Sequence, residues 1–298
     1  MRMDARQGAM LAAVYAGVAF GVMWIPIRAL EQAGLHGAWA SLAFAGMPVL
    51  FVLPLYWRHR GEIRLAHWKG LLGGVLGGVA FGFYALALLY TDIVRAILLF
   101  YLTPIWGFLL GRLVLGEAIT PIRWAAVLIG LAGIAVIFGI GEGLPLPGNA
   151  GDWIALAAGL VWAVASLLIL IDEDVSVAVH GTSFFVFSTL LNGLAILLIG
   201  ASVAVPEMAD IAGVLPWLLV VTLVLTVPAG FATIYGPTLL NPGVVGLLFM
   251  AEVAVAALSA ALLSDEPFGT RETIGVLLVV GAGLLVPLGE RGRGTARG

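Results

Sequence analysis

The sequence predicts an all-α polytopic membrane protein, with ten transmembrane helices arranged as two inverted five-helix repeats. Three observations predict it. Apolar residues make up 62% of the chain and charged residues 10%, with a mean hydropathy of +1.12. That is more apolar surface than one soluble core can bury, so lipid is the natural solvent. Charges, prolines and glycines then cut the chain into ten apolar stretches, each near the roughly 20 residues that a spanning helix needs. Lastly, a weak internal echo recurs at an offset of 149, where Ile97-Leu-Leu-Phe100 is answered by Gly246-Leu-Leu-Phe249. An internal repeat of this kind sets the architecture.

The first stretch, 8–28, follows Met1-Arg2-Met3-Asp4-Ala5-Arg6. That start resembles the basic region of a signal peptide, but no small-x-small cleavage site follows, so a retained first helix is expected. The second stretch is 38–57. The third, 69–91, carries Gly70, Gly74, Gly78 and Gly82 at four-residue spacing with Gly73 and Gly77 beside them, a pattern that permits close backbone approach. The fourth, 95–115, holds Pro104 among the small residues Thr103, Gly107 and Gly111 and ends at Gly116-Glu117. The fifth is 121–140. Gly139-Ile-Gly-Glu-Gly-Leu-Pro-Leu-Pro-Gly-Asn149 is the densest turn cluster and joins the halves. Residues 1–142 thus form the N-terminal repeat, 143–151 the linker, and 152–298 the C-terminal repeat with a short basic cytoplasmic tail. The second five stretches are 152–171, 181–203, 214–235, 243–263 and 273–289. Pro26, Pro104 and Pro228 fall inside apolar stretches, where each frees a carbonyl and can kink its helix.

Lys and Arg placement predicts orientation. With the N-terminus cytoplasmic, eleven basic residues lie inside and only Arg28, Arg95 and Arg271 outside. Both termini are then cytoplasmic. Five helices per half is an odd number, so the second half starts on the opposite side and the repeat is inverted, an arrangement found where a solute site lies between halves.

Glu252 sits at the centre of the ninth stretch. A charge there costs roughly 2.5–3.5 kcal/mol, so it should face protein or water. It is a candidate proton carrier or partner for a solute ammonium; the plainer reading is a hydrogen-bonded Glu at a helix contact. By the repeat it aligns with Thr103, which makes Thr103, Gly107 and Gly111 the counterparts of Glu252, Ala256 and Ala260. Phe20, Met23 and Trp24 share one helical face, as do Trp162 and Ser166, and Tyr84, Tyr101 and Tyr235 add hydroxyls. Aromatic side chains around a cavity suit a flat, apolar or amphipathic solute. The alternative is lipid-facing bulk or an interfacial belt, the preferred reading for Tyr56, Trp57, Trp68, Trp124, Trp153 and Trp217. Asp92 and Arg95 lie in one short turn, where a local pair is expected.

Enzyme signatures are absent: no His-Glu-x-x-His, no Gly-x-Ser-x-Gly, and four histidines at loops or helix ends. The chain has no cysteine and no basic patch for nucleic acid. No catalytic, metal or cofactor site is expected, and the partners are a small solute and the lipid bilayer, with a monomer plausible.

Pro104…Gly116-Glu117 followed by Gly130-Leu-Ala-Gly133, and Asp265-Glu266-Pro267 followed by Gly275 and Gly281-Ala-Gly283, resemble the drug/metabolite transporter superfamily of EamA type. Val253 stands where a second proline is expected, and Asp265 where a glycine is. Along its whole length the chain is similar to YddG-type exporters of aromatic amino acids. The resemblance implies helices 1, 3, 4, 6, 8 and 9 around a central cavity, with 2, 5, 7 and 10 outside. It also implies alternating-access export of amino acids across a bacterial inner membrane without a cofactor, with Phe20, Met23, Trp24, Tyr84, Tyr101 and Trp162 near the solute. A carrier of sugars, nucleotides or quaternary amines, or a passive facilitator, shares these features.

Overall fold

The computed structural model describes residues 2–88, 90–139, 146–199, 204–264 and 268–291. Among them, nine segments are long and apolar enough to cross a membrane, and no strand occurs. Helices α1 (Arg2–Gly21) and α2 (Trp24–Gln32) make the first span, α3 (Ala38–Arg58) the second and α4 (Trp68–Ala87) the third. The fourth is broken into α5 (Ile93–Phe100) and α6 (Thr103–Leu115), and α7 (Pro121–Phe138), α8 (Ala150–Ile171) and α9 (Val177–Ile199) follow. The eighth joins α10 (Met208–Val221) to α11 (Val227–Tyr235) through one π-helical turn. The ninth is broken into α12 (Pro242–Phe249) and α13 (Ala251–Leu263). A further 22-residue helix, α14 (Thr270–Arg291), lies along α7 and is not among the nine. The Asp265-Glu266-Pro267 motif, the first three linker residues (143–145) and the tail from 292 on lie outside the described residues.

Local chemistry sets the ends. Thr120, Asn149 and Asn241 each place a side-chain oxygen on a first-turn amide of α7, α8 and α12, and Pro121 and Pro242 occupy the first helical position. The eighth span starts earlier than the sequence predicts because Asp210 accepts the Glu207 amide at 3.2 Å, fixing a cap upstream of the apolar run. Gly116 and Gly139, at φ 68° and 66°, end α6 and α7 in the left-handed region.

Three prolines sit in the first turn after a discontinuity, whereas Pro48 and Pro54 lie inside α3 and Pro216 inside α10. Pro26 follows the α1–α2 break, Pro104 the α5–α6 break, and Pro228 the π turn. The ninth span breaks at Met250 with no proline. Its two pieces nevertheless have 8 and 13 residues, the same lengths as α5 and α6.

Glycine lets α4 lie between α8 and α9. A Cβ on Gly74, Gly78 or Gly82 would press on His180, Phe184 or Leu191 of α9, and one on Gly73 on Ile169 of α8. Packing accounts for the glycine stripe. Gly133 of α7 meets Gly275 of α14 in the same manner. The exposed Trp57, Trp68, Trp124 and Trp153 stand at helix ends, as an interfacial belt requires. Trp217 instead packs on a small cluster around Leu30 and Leu218.

Candidate functional site

The breaks in the fourth and ninth spans meet at the centre of the molecule. Pro104 has no amide hydrogen, so the carbonyl of Phe100, four residues back, loses its helical donor. The Thr103 hydroxyl donates to it at 2.5 Å. In the ninth span the Val253 amide bonds Met250 at 3.1 Å instead of reaching Phe249. The Phe249 carbonyl is freed in turn, and the Tyr101 hydroxyl lies 3.1 Å from it. The same hydroxyl is 2.7 Å from Oε2 of Glu252. Residues 151 apart are thus joined where the two helices are interrupted.

Around this junction runs a chain of rings. Phe20 of α1 touches Phe81 of α4 at 4.9 Å between centroids, and Phe81 touches Phe184 of α9 at 5.0 Å. Phe184 lies 6.5 Å from Trp162 of α8, which stacks on Phe249 at 5.8 Å and 27°. Beyond the Phe249–Tyr101 hydrogen bond, Tyr101 meets Phe100 edge-on at 5.4 Å, and Phe100 meets Tyr84 at 4.6 Å. Trp162 and Tyr101 are 2% and 1% exposed, whereas Phe20, Tyr84 and Glu252 are half-buried.

Of the expected residues, the structure brings Phe20, Tyr84, Tyr101, Trp162 and Glu252 together. Met23 lies beside the chain, in a cluster with Ala19 and Ala229 against Phe20. Trp24 donates its indole N–H to Ser259 at 2.9 Å and so ties α2 to α13. Tyr235 packs at the far end of α11, facing Gly8 of α1, and makes no ring contact with the others among the described residues. Instead of lining an open central cavity, the rings of this conformation lie against one another. The seventh helix also contributes a ring, because Gly74, Gly77 and Gly78 let α9 bring Phe184 against Trp162. Phe81, Phe100, Phe184 and Phe249 went unread in the sequence; Phe100 and Phe249 close the two echoed phrases.

At the Glu117 end the two broken spans lock together. A Cβ on Gly107 would run into Pro242 and Gly243, one on Gly111 into Asn241, and one on Gly243 into Phe108. Asn241 donates to Glu117 at 2.9 Å, and Arg123 reaches the same oxygen at 3.1 Å while lying over the Phe108 ring. At the opposite end, Arg95 pairs with the fully buried Asp152. Asp92, the local partner expected, acts on Arg95 through its charge, while the hydrogen-bonded partner is Asp152. Asp152 also accepts the Thr91 hydroxyl and the Gly148 amide, so the first turn of α8 offers more partners than the turn itself. Gly151 gives the 90–91 backbone room to reach it.

Two loops beside α4 are clasped as well. Glu62 accepts the Ser176 amide at 2.8 Å and lies 2.8 Å from His59 Nδ1, and Asp172 accepts the Gly70 amide at 3.0 Å. Partial burial pushes the Glu62 carboxyl up, but the Ser176 amide and His59 outweigh it and hold it below its ordinary value. His67, Asp172 and Asp174 have the donor types of a metal site. Asp172 is already committed to Gly70, however, and Asp174 is exposed.

Residues 7–139 match the EamA-like transporter family. Over 167 residues the chain is 28% identical to a riboflavin transporter of Rhizobium johnstonii, covering 52% of this chain and 51% of that protein. The match therefore spans about half the length of the curated relative. A solved crystal structure of a protein superposes with a TM-score of 0.71 at 20% identity, covering 96% of this chain and 98% of its own, a likeness of fold. The chain is built as a multi-pass membrane protein whose first half is similar to EamA-like transporters.

Proposed function

We propose that the chain is an EamA-type membrane carrier that exports amino acids, aromatic ones foremost, across the inner membrane by alternating access. The path runs between two inverted five-helix repeats, α14 supplies the tenth span, and both termini are cytoplasmic. The observation that carries this reading is the ring chain closing on two matched helix breaks beside a half-buried carboxylate. A ring–ring contact contributes about 0.5–1.5 kcal/mol beyond burial, so a solute ring can replace Phe249 against Trp162 at little cost. Glu252, whose side chain among the described residues is bonded by a tyrosine hydroxyl alone, suits the ammonium of an amino acid. The equal 8 and 13 residue pieces support the repeat, and the Lys/Arg bias supports the orientation.

A second reading is favoured by the relative named a riboflavin transporter: a flat heteroaromatic solute without an amine, held by stacking alone. Uptake of labelled Phe into proteoliposomes, in competition with Trp, Tyr, Leu and riboflavin, separates the two. Trp and Tyr should compete, and Trp162→Ala should weaken aromatic solutes about tenfold and Leu much less. Competition by riboflavin alone moves the assignment to the second reading. Equal losses for aromatic and aliphatic solutes would contradict stacking.

A further inference from the structure

We propose that Glu252, Tyr101 and the Phe249 carbonyl form a proton-binding site, and that the conformation described here is its proton-loaded state. A count of hydrogens carries it. The Tyr101 hydroxyl has one hydrogen and two acceptors in reach, Glu252 Oε2 at 2.7 Å and the Phe249 carbonyl at 3.1 Å. The Phe249 residue is 7% exposed and its carbonyl has no amide donor, since Val253 turns to Met250. With an ionised Glu252, the shorter contact takes the hydrogen and the buried carbonyl is left unpaired, an outcome native structures avoid. With a protonated Glu252, the carboxyl donates to Tyr101 and Tyr101 donates to Phe249. Every group in the chain is then satisfied.

The surroundings fit a neutral carboxyl. Tyr101 and Tyr84 are the titratable side chains that face Glu252 from the α5–α6 break and from α4. Helix α1 presents Gly17 and Gly21, whose missing side chains let its backbone lie against residue 252. Arg123 of α7 and Arg271 and Glu272 of α14 stand at the ends of their helices. No cation pairs with Glu252 among the described residues. The equivalent break in the first half makes the same point by contrast. There the freed Phe100 carbonyl takes the hydroxyl of Thr103, the residue that aligns with Glu252, so that cap does not titrate. On the carrier reading, which this inference deepens, the proton steadies the α12–α13 break and its loss releases it.

The test is infrared difference spectroscopy of the full chain in lipid nanodiscs during a pH titration, with no solute present. A protonated-carboxyl C=O band should disappear as the pH rises, be absent in Glu252→Gln, and move to higher frequency in Tyr101→Phe, where its hydrogen-bond acceptor is gone. If Glu252→Gln does not fold, Glu252→Asp must keep the band with a displaced midpoint. A wild-type band that survives in Glu252→Gln, one unmoved by Tyr101→Phe, or no band at any pH overturns the site. Because no transport is measured, a protein that binds this proton but moves no solute would refute the carrier reading alone.

Discussion

Glu62 shows how one carboxylate can hold two loops that the sequence separates by more than a hundred residues. Its oxygens take the Ser176 amide and face His59, and its acidity is increased on folding. A group whose folded value is depressed stabilises the protein above its unfolded value, and that stability is lost as pH falls through the folded value. Thermal stability of the wild type in detergent should therefore decline acid of the ordinary carboxylate range. Glu62→Gln should flatten that decline and lower the neutral-pH plateau by about 1 kcal/mol; an unchanged acid limb would show that the clasp contributes nothing. Contacts of this kind were not legible in the sequence. Nothing local marks Ser176 as the partner of Glu62, Asp152 as that of Arg95, or Tyr101 as that of Glu252. What the sequence did mark was expense, a carboxylate in mid-span, without naming the Tyr101 hydroxyl that meets it.

At the scale of elements, punctuation was readable and close approach half so. Pro26, Pro104 and Pro228 announced three discontinuities, because a missing amide hydrogen is a local fact. The break at Met250 had no such signal. It follows from tertiary contacts, the α1 backbone against residue 252 and Tyr101 on the freed carbonyl, and only the length of the repeat hinted at it. Likewise, the glycines of α4 read correctly as packing, but which helix each one faces came from the structure. That distinction yields a paired prediction. Gly107→Val must push on the backbone of Pro242 and Gly243 and should destabilise the protein by about 1–3 kcal/mol. Gly281→Ala in α14 meets open space and should stabilise it by about 0.5–1 kcal/mol. Melting curves of the two variants in one detergent check both; similar losses would mean the α6–α12 crossing is not tight.

At the scale of the whole molecule, composition excluded water as the solvent of most side chains, and the nine apolar spans of the described residues fall where the sequence expects them, with ends displaced by up to about six residues. The glycine-rich α4 brings Phe184 of the seventh helix against Phe81 and Trp162, a contact that composition does not reveal. Two broken spans, the fourth and the ninth, are locked together at the Glu117–Asn241 end, and the ring chain closes where their breaks meet. On the proposed carrier reading, that lock is the seal at one end and the two breaks are the hinges through which the path opens alternately. The most direct test is counterflow: proteoliposomes preloaded with unlabelled Phe, diluted into labelled Phe, with no gradient imposed. The carrier account predicts saturable, transient accumulation of label above equilibrium that is absent from empty liposomes. Simple equilibration without overshoot would indicate a pore and contradict it.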